Sequence, residues 1–415
     1  APGPEGHLES KQSREKETSR LEPEISRETE STVSAKETEP SAVEIPAGGS
    51  ELPSRYDART DGRTAPVKNQ GDLGTCWAFA SLLALESSLL PEESYDFSED
   101  HMSHDPNFLL DQKSGGDYIM SMAYLLSWRG PVLEEEDPYG DGISPEGLTA
   151  VKHVQEMQII ESKDYEKIKE AVFKYGGVQT SIYNALRSSQ SSSPYYNKST
   201  DAYCYIGTEK PNHDVVIVGW DDSYSKDNFN TDLEGDGAFI CQNSWGDNFG
   251  ENGFFYISYY DTNIGTHNVV YTDIENTDNY DHIYQSDLCG WVGQLGYNKD
   301  SIYGANVFTA EGNETLKAAS FYATGKDSQY ELYVVRQFED ETSLEKMIPV
   351  ASGKLGNAGY YTVDFNQGIE VDAGERYAVV LYIITPGSVH PMAIEYAADE
   401  ATENVDLDDG ESYIS

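Results

Sequence analysis

The sequence predicts an α+β unit with two facing halves, followed by an all-β sandwich. Three observations carry that fold class. Helical patterns fill the first part of the folded chain and strand patterns the second, the order expected when α and β halves are segregated. A further stretch, residues 281–396, shows strand patterns alone, punctuated by Gly and Asp. At 415 residues the chain is too long for one ordinary core, so two domains plus tails is the natural division.

Residues 1–50 contain no Phe, Trp or Tyr and are dense in Glu, Ser, Thr, Lys and Arg, so they cannot bury enough apolar surface to offset chain entropy. They read as a disordered leader or a propeptide remnant, without the basic-then-apolar pattern of a signal peptide. The folded part begins near Glu51. From Thr75 to about Leu90 nearly every residue is apolar or small, which suits a helix buried on most faces and stopped by Pro91. A second helix is expected from its N-cap Asp117 to about Arg129, and a third over about Lys163–Tyr175, ended by Gly176-Gly177. Strands follow at Val178–Tyr183, Asp214–Trp220, Gly237–Gln242 and Gly253–Tyr260. The acidic, Asn-rich insertion Asp221–Asp236 carries oxygen ligands at the first, third and fifth positions of a calcium loop, but Cys241 stands at the twelfth, so it reads as a solvated hairpin. Within 281–396 the expected strands are Leu316–Thr324, Tyr330–Phe338, Tyr360–Phe365, Arg376–Thr385 and Met392–Tyr396. Residues 397–415 read as an acidic tail or linker.

A formal charge of −45 argues against nucleic acid as a partner, because phosphate would be repelled. No apolar stretch reaches the roughly 18 residues needed to span a bilayer. The charge fits a secreted or surface-exposed protein, or it serves solubility alone. Four cysteines, Cys76, Cys204, Cys241 and Cys289, are too few for a disulfide scaffold. If Cys76 is a free nucleophile, the others allow at most one bridge.

Cys76 opens the buried helix after the flexible Gly71–Gly74 turn. A cysteine attacks as thiolate, so its pKa must fall, and a helix N-terminus and an imidazolium partner both lower it. His213 begins a strand and can project its ring from the strand end into a cleft. Asn243 can fix the tautomer of that ring, with Trp245 shielding the bond from water. Gln70 stands where its side-chain amide, with the Cys76 backbone N–H, can face an oxyanion. No metal or organic cofactor is needed by such a set. His101, His104, His267, His282 and His390 have no evident partners and read as surface or structural, without the spacing of a zinc site.

The blocks Pro66-Val-Lys-Asn-Gln-Gly, Thr75-Cys-Trp-Ala-Phe, His213-Asp-Val-Val-Ile-Val-Gly-Trp and Gln242-Asn-Ser-Trp-Gly, in that order, resemble the papain-like cysteine peptidases over about residues 51–265. The resemblance implies a helical lobe plus a β-barrel-like lobe over residues 51–275, with Cys76, His213, Asn243 and Gln70 as catalytic residues and a protein or peptide as substrate. It implies that Gly115-Gly116 binds an extended substrate strand through main-chain bonds. It also places Asp117, Tyr118, Ser181, Pro211 and Asp214 around the pocket for the second residue before the scissile bond. Two carboxylates there can favour Arg or Lys; alternatively Asp117 caps its helix and Asp214 faces solvent. His213 falls in the family's window of about 130–150 positions after the cysteine, whereas Asn243 falls beyond it by about the length of the acidic insertion. The family's bridge between two further cysteines is replaced by Leu73 and Asp105.

Residues 281–396, with Ile283-Tyr-Gln-Ser-Asp-Leu-Cys-Gly-Trp291 and Gly304-Ala-Asn-Val-Phe-Thr-Ala310, resemble the lectin-like domain attached to bacterial surface peptidases of this family. Trp291, Tyr297 and Tyr303 can stack on a cell-surface glycan, or fill the sandwich core or the interface with the peptidase. The expectation is therefore a secreted or surface-displayed bacterial cysteine endopeptidase. Its rival is a catalytically silent adhesin or glycan-binding surface protein on a peptidase scaffold.

Overall fold

The structure, a computed structural model, describes residues 52–188, 191–403, 405 and 412–415. The leader expected over residues 1–50 lies outside the described residues. No helix among them is long and apolar enough to cross a membrane.

The first helix is Cys76–Leu89, and twelve of its fourteen residues are buried, as its all-round apolar composition requires. Around it lie the short helix Glu99–Ser103 and the helix Tyr118–Leu126. Asp117 caps the latter by accepting the Ile119 N–H at 2.9 Å. That helix stops three residues before the expected Arg129, because Trp128 takes a positive φ of 58° and turns the chain. The fourth helix, Tyr165–Lys174, is capped by Asp164 and packs its Ile168–Ala171–Val172 stripe inward.

Eleven of the strands among the described residues form one large sheet. Its order runs Glu314–Ala323, Ala358–Val371, His153–Ile160, Asn268–Glu275, Val178–Ile182, His213–Asp221, Ala238–Gln242, Phe254–Ser258, Ala202–Tyr203, Tyr196–Asn197, with Arg55–Asp57 also pairing His213–Asp221. The expected strands around the cleft are present; His153–Ile160 and Asn268–Glu275 are additions. These two join the peptidase half to the C-terminal half, since Tyr360 pairs with Met157 and Val270 pairs with Gln158. The second half is therefore not a detached sandwich: its strand Ala358–Val371 extends the peptidase sheet. At that crossing a Cβ on Gly359 (φ 149°) would stand 2.2 Å from the Met157 carbonyl oxygen, so only glycine fits.

A five-stranded sheet, in order Ile348–Leu355, Ser328–Val335, Arg376–Ile384, Ser301–Thr309, Ser412–Ile414, covers the extension. Phe321, Tyr361 and Phe365 meet Ile302, Tyr330, Leu332 and Ile383 between the layers, which gives the expected sandwich core. The C-terminal segment differs from an acidic linker: Ser412–Ile414 adds an edge strand to Ser301–Thr309, and Thr402 is buried. The insertion Asp221–Asp236 differs from a solvated hairpin, because Phe229 and Leu233 pack with Ala202, Cys204 and Ala238 in a small core. All four cysteines are free. Asp105, which stands where the family has a bridging cysteine, is buried and ion-paired to Arg129 at 2.7 Å. Trp291 is half-buried against the peptidase core and Tyr303 packs on Tyr382 with centroids 4.4 Å apart, while Tyr297 is exposed.

Candidate active site

The segment before the first helix is pinned on both sides. Lys68 Nζ, nearly buried, meets Glu86 Oε1 at 2.9 Å, Asp96 Oδ1 at 2.8 Å and Glu99 Oε1 at 2.8 Å. Its ammonium is held charged by these carboxylates against the cost of burial. The Lys68 carbonyl accepts the Gly246 N–H at 3.0 Å, which ties this segment to the loop carrying Asn243.

Gln70 is fixed at every polar atom. Its N–H donates to the Ser244 carbonyl at 2.8 Å, its Oε1 accepts from Ser244 Oγ at 2.6 Å and its Nε2 donates to the Leu73 carbonyl at 2.8 Å. The second Nε2 hydrogen has no partner among the described residues. Tyr139 Oη donates to the Gln70 carbonyl at 2.8 Å and meets Thr75 Oγ1 at 2.6 Å. Thr75 is the N-cap of the first helix, yet its hydroxyl makes no capping bond. The Ala78 and Phe79 N–H groups donate to the Thr75 carbonyl at 3.0 and 3.1 Å, and the Cys76 and Trp77 N–H groups face the Cys76 sulfur.

His213 opens its strand in register with Ile182, and its Nε2 lies 2.8 Å from Asn243 Oδ1. Asn243 Oδ1 also accepts the Ser244 N–H at 2.9 Å, so it is the acceptor toward both neighbours. The imidazole proton therefore sits on Nε2, and Nδ1 carries the free lone pair. Trp245 covers the ring with centroids 5.1 Å apart and is backed by Phe249. Cys76, Gln70, His213 and Trp245 line one cleft of about 250 Å3, together with Leu73, Asn184 and Arg187. A larger cavity of about 520 Å3, near Arg63, Leu90, Tyr175 and Asp273, is lined by no thiol or imidazole.

Burial pushes the Cys76 thiol up to about 12, and the Asp214 carboxylate adds to that; backbone N–H groups of Asp214, Trp77 and Cys76 act the other way. Burial also pushes His213 down to about 4, opposed by its hydrogen bond to Asn243. Each charge alone loses its hydration in this cleft, so a thiolate on Cys76 depends on a compensating charge on the His213 ring.

The other expected residues gather nearby. Gly115 lies against Gly74, and a Cβ on Gly116 would stand 2.5 Å from the Nε1 of Trp77, the residue after Cys76. Asp214 does not face solvent: Ser181 Oγ donates to its Oδ1 at 2.7 Å and Gln179 Nε2 to its Oδ2 at 2.9 Å. Burial raises the pKa of both Asp117 and Asp214. Sequence reasoning missed His267, whose ring meets Tyr118 edge-on at 5.9 Å and whose charge is felt at both carboxylates. It also missed Ser244, although that residue lies inside the Asn243 block, and Tyr139, whose loop carries no catalytic signal.

Comparison with known proteins accords with this arrangement. Residues 52–274 match the papain family cysteine protease, and residues 283–415 match the lectin like domain. The chain belongs to the papain family of cysteine proteases. Among relatives of this papain-family chain, cysteine proteinase 1 of Zea mays is 29% identical over 228 residues, covering 51% of this chain and 57% of that protein. Cathepsin K of Mus musculus is 27% identical over 215 residues, covering 49% and 59%. The chain thus spans little more than half the length of these relatives. The solved structure of the Clostridial cysteine protease Cwp84 after propeptide cleavage superposes with a TM-score of 0.77 at 29% identity, covering 87% of this chain and 92% of that one. The cysteine protease and lectin-like domains of Cwp84, described as a surface layer associated protein of Clostridium difficile, give 0.75 at 28%, covering 88% and 84%. The architecture is a papain-like fold followed by a lectin-like all-β domain, as expected.

Proposed function

We propose that the chain is a cysteine endopeptidase, secreted or displayed on a bacterial surface, acting through Cys76, His213 and Asn243. The observation that carries this reading is the His213–Asn243 bond, which leaves the Nδ1 lone pair free in a cleft shared with the Cys76 thiol. His213 Nδ1 takes the thiol proton as sulfur attacks the peptide carbonyl carbon. The carbonyl oxygen becomes an oxyanion held by Gln70 Nε2–H and the Cys76 N–H. The tetrahedral centre collapses, His213 protonates the leaving amine, and a thioester remains. Water, deprotonated by His213, then hydrolyses the thioester and restores the thiol.

A peptide laid along Gly115-Gly116 would pair through its main chain, with Tyr118, Asp214 and Trp245 around its side chains. The surface setting rests on the likeness to Cwp84. The lectin-like match favours a cell-surface glycan as partner of the second half, residues 281–396, beside a peptidase unit over 51–275. An epoxide-type cysteine-protease inhibitor tests the reading. Stoichiometric labelling mapped to Cys76, absent in Cys76→Ala, together with cleavage of a peptide library, is the expected result. No labelling in reducing buffer, after removal of residues 1–50, would overturn it and leave the silent adhesin.

A further inference from the structure

Outside the cleft, the carboxylates of Asp100, Asp137 and Asp141 each bring one oxygen within 4.8 Å of the others. Asp100, on the helix Glu99–Ser103, and Asp137 are both 0% exposed, whereas Asp141 faces solvent. One oxygen of each buried carboxylate is committed. Asp100 Oδ1 accepts from Gln112 Nε2 at 2.8 Å and from the Gly140 N–H at 3.3 Å, and Asp137 Oδ2 accepts from Ser144 Oγ at 2.6 Å. The other oxygens, Asp100 Oδ2 and Asp137 Oδ1, are buried with no hydrogen-bond partner. His104 Nδ1 lies 3.4 Å from Asp100 Oδ2 but 2.9 Å from the Asp100 carbonyl oxygen, so its N–H serves the carbonyl. Among the described residues, no Lys or Arg forms an ion pair with any of the three. Buried, mutually repelling carboxylates with orphaned oxygens call for a cation, and an all-oxygen set selects a hard one.

We propose that Asp100, Asp137 and Asp141 bind one divalent cation of the calcium type, and that this ion braces the loop segment holding Gln70. Asp137 and Asp141 supply oxygens from one turn and Asp100 from the facing helix; the exposed side at Asp141 admits water ligands. Two arms run from the site to the nucleophile. Tyr139, between the two loop ligands, bonds the Gln70 carbonyl and the Thr75 hydroxyl. Gln112, bonded to Asp100, accepts the Gly74 N–H on its carbonyl at 2.7 Å. The cation therefore ties Asp100 to the 137–141 turn and holds both arms in place. The brace rests on the peptidase reading; the cation site does not.

The test uses the full chain, stripped with EDTA, and calcium chloride against potassium chloride of equal ionic strength. Thermal unfolding and sensitised terbium luminescence read binding, and the rate of epoxide labelling at Cys76 reads the brace. A saturable rise in Tm is expected, with affinity at least tenfold weaker in Asp141→Asn, whose exposed side chain keeps an oxygen for the Ile143 N–H it accepts at 2.9 Å, and weaker again in Asp137→Asn. Calcium should speed labelling of the parent but not of Asp141→Asn. A Tm and luminescence response retained in full by Asp141→Asn overturns the site. Labelling indifferent to calcium overturns the brace. A variant-sensitive Tm rise without any labelling supports the site and overturns the peptidase reading.

Discussion

In the cleft, side chains from three distant segments are fixed by single polar atoms, whereas in the sandwich a whole layer is held by interdigitated apolar surface. Gln70 has a hydrogen-bond partner at each polar atom, and His213 is oriented by one oxygen of Asn243. Phe321, Tyr330, Leu332 and Ile383 share a diffuse contact in which no one atom decides. A polar frame fails when one partner is removed, because a buried group is left without compensation. An apolar layer yields by degrees. The crossing of Ala358–Val371 onto His153–Ile160 is the exception in the second half, since it depends on the bare backbone of Gly359.

Four substitutions sharpen that contrast, in order of expected effect. Lys68→Met leaves Glu86 and Glu99 buried without their cation and should cost about 3–5 kcal/mol, read as a fall in the urea midpoint. Retention of the parent midpoint would mean that the loop is held by its backbone bonds alone. Gln70→Ala should lower kcat about 100-fold with little change in KM, because the lost donor acts on the oxyanion, and should also lower Tm, because the Ser244 hydroxyl and the Leu73 carbonyl lose their partner. Gly359→Ala should destabilise by about 1–3 kcal/mol while kcat of the folded enzyme stays at the parent value. A large loss of kcat there would show that the two halves are coupled through the sheet. Asn243→Ala should move the acid limb of kcat/KM to lower pH. Activity requires neutral His213 and is lost as pH falls through about 4, and the Asn243 bond is what holds that value up.

The same contrast explains what could be read from the sequence. Cys76, His213, Asn243 and Gln70 lie in short blocks, and the structure fixes Gln70 and the His213–Asn243 pair within the cleft that Cys76 lines. The long first helix was legible because its apolar run is continuous. The strands His153–Ile160 and Asn268–Glu275 were not, since neither alternates strictly and their partners lie about a hundred or more residues away. The shared sheet escaped for a similar reason: nothing local to Gly359 announces that its neighbour is Gln158. Polar composition around Asp221–Asp236 hid the two residues, Phe229 and Leu233, that pack it. His267 gained its neighbours only through folding, and so did the acidic group around Asp137.

The central claim is that His213 activates Cys76. Alkylation of Cys76 by iodoacetamide from pH 5 to pH 10, in the parent and in His213→Ala, tests it most directly. The account predicts brisk alkylation of the parent near neutral pH, with His213 as base, and a reaction confined to high pH in the variant, where burial keeps the thiol protonated. Coincident profiles for the two proteins, with equal Tm, would contradict it.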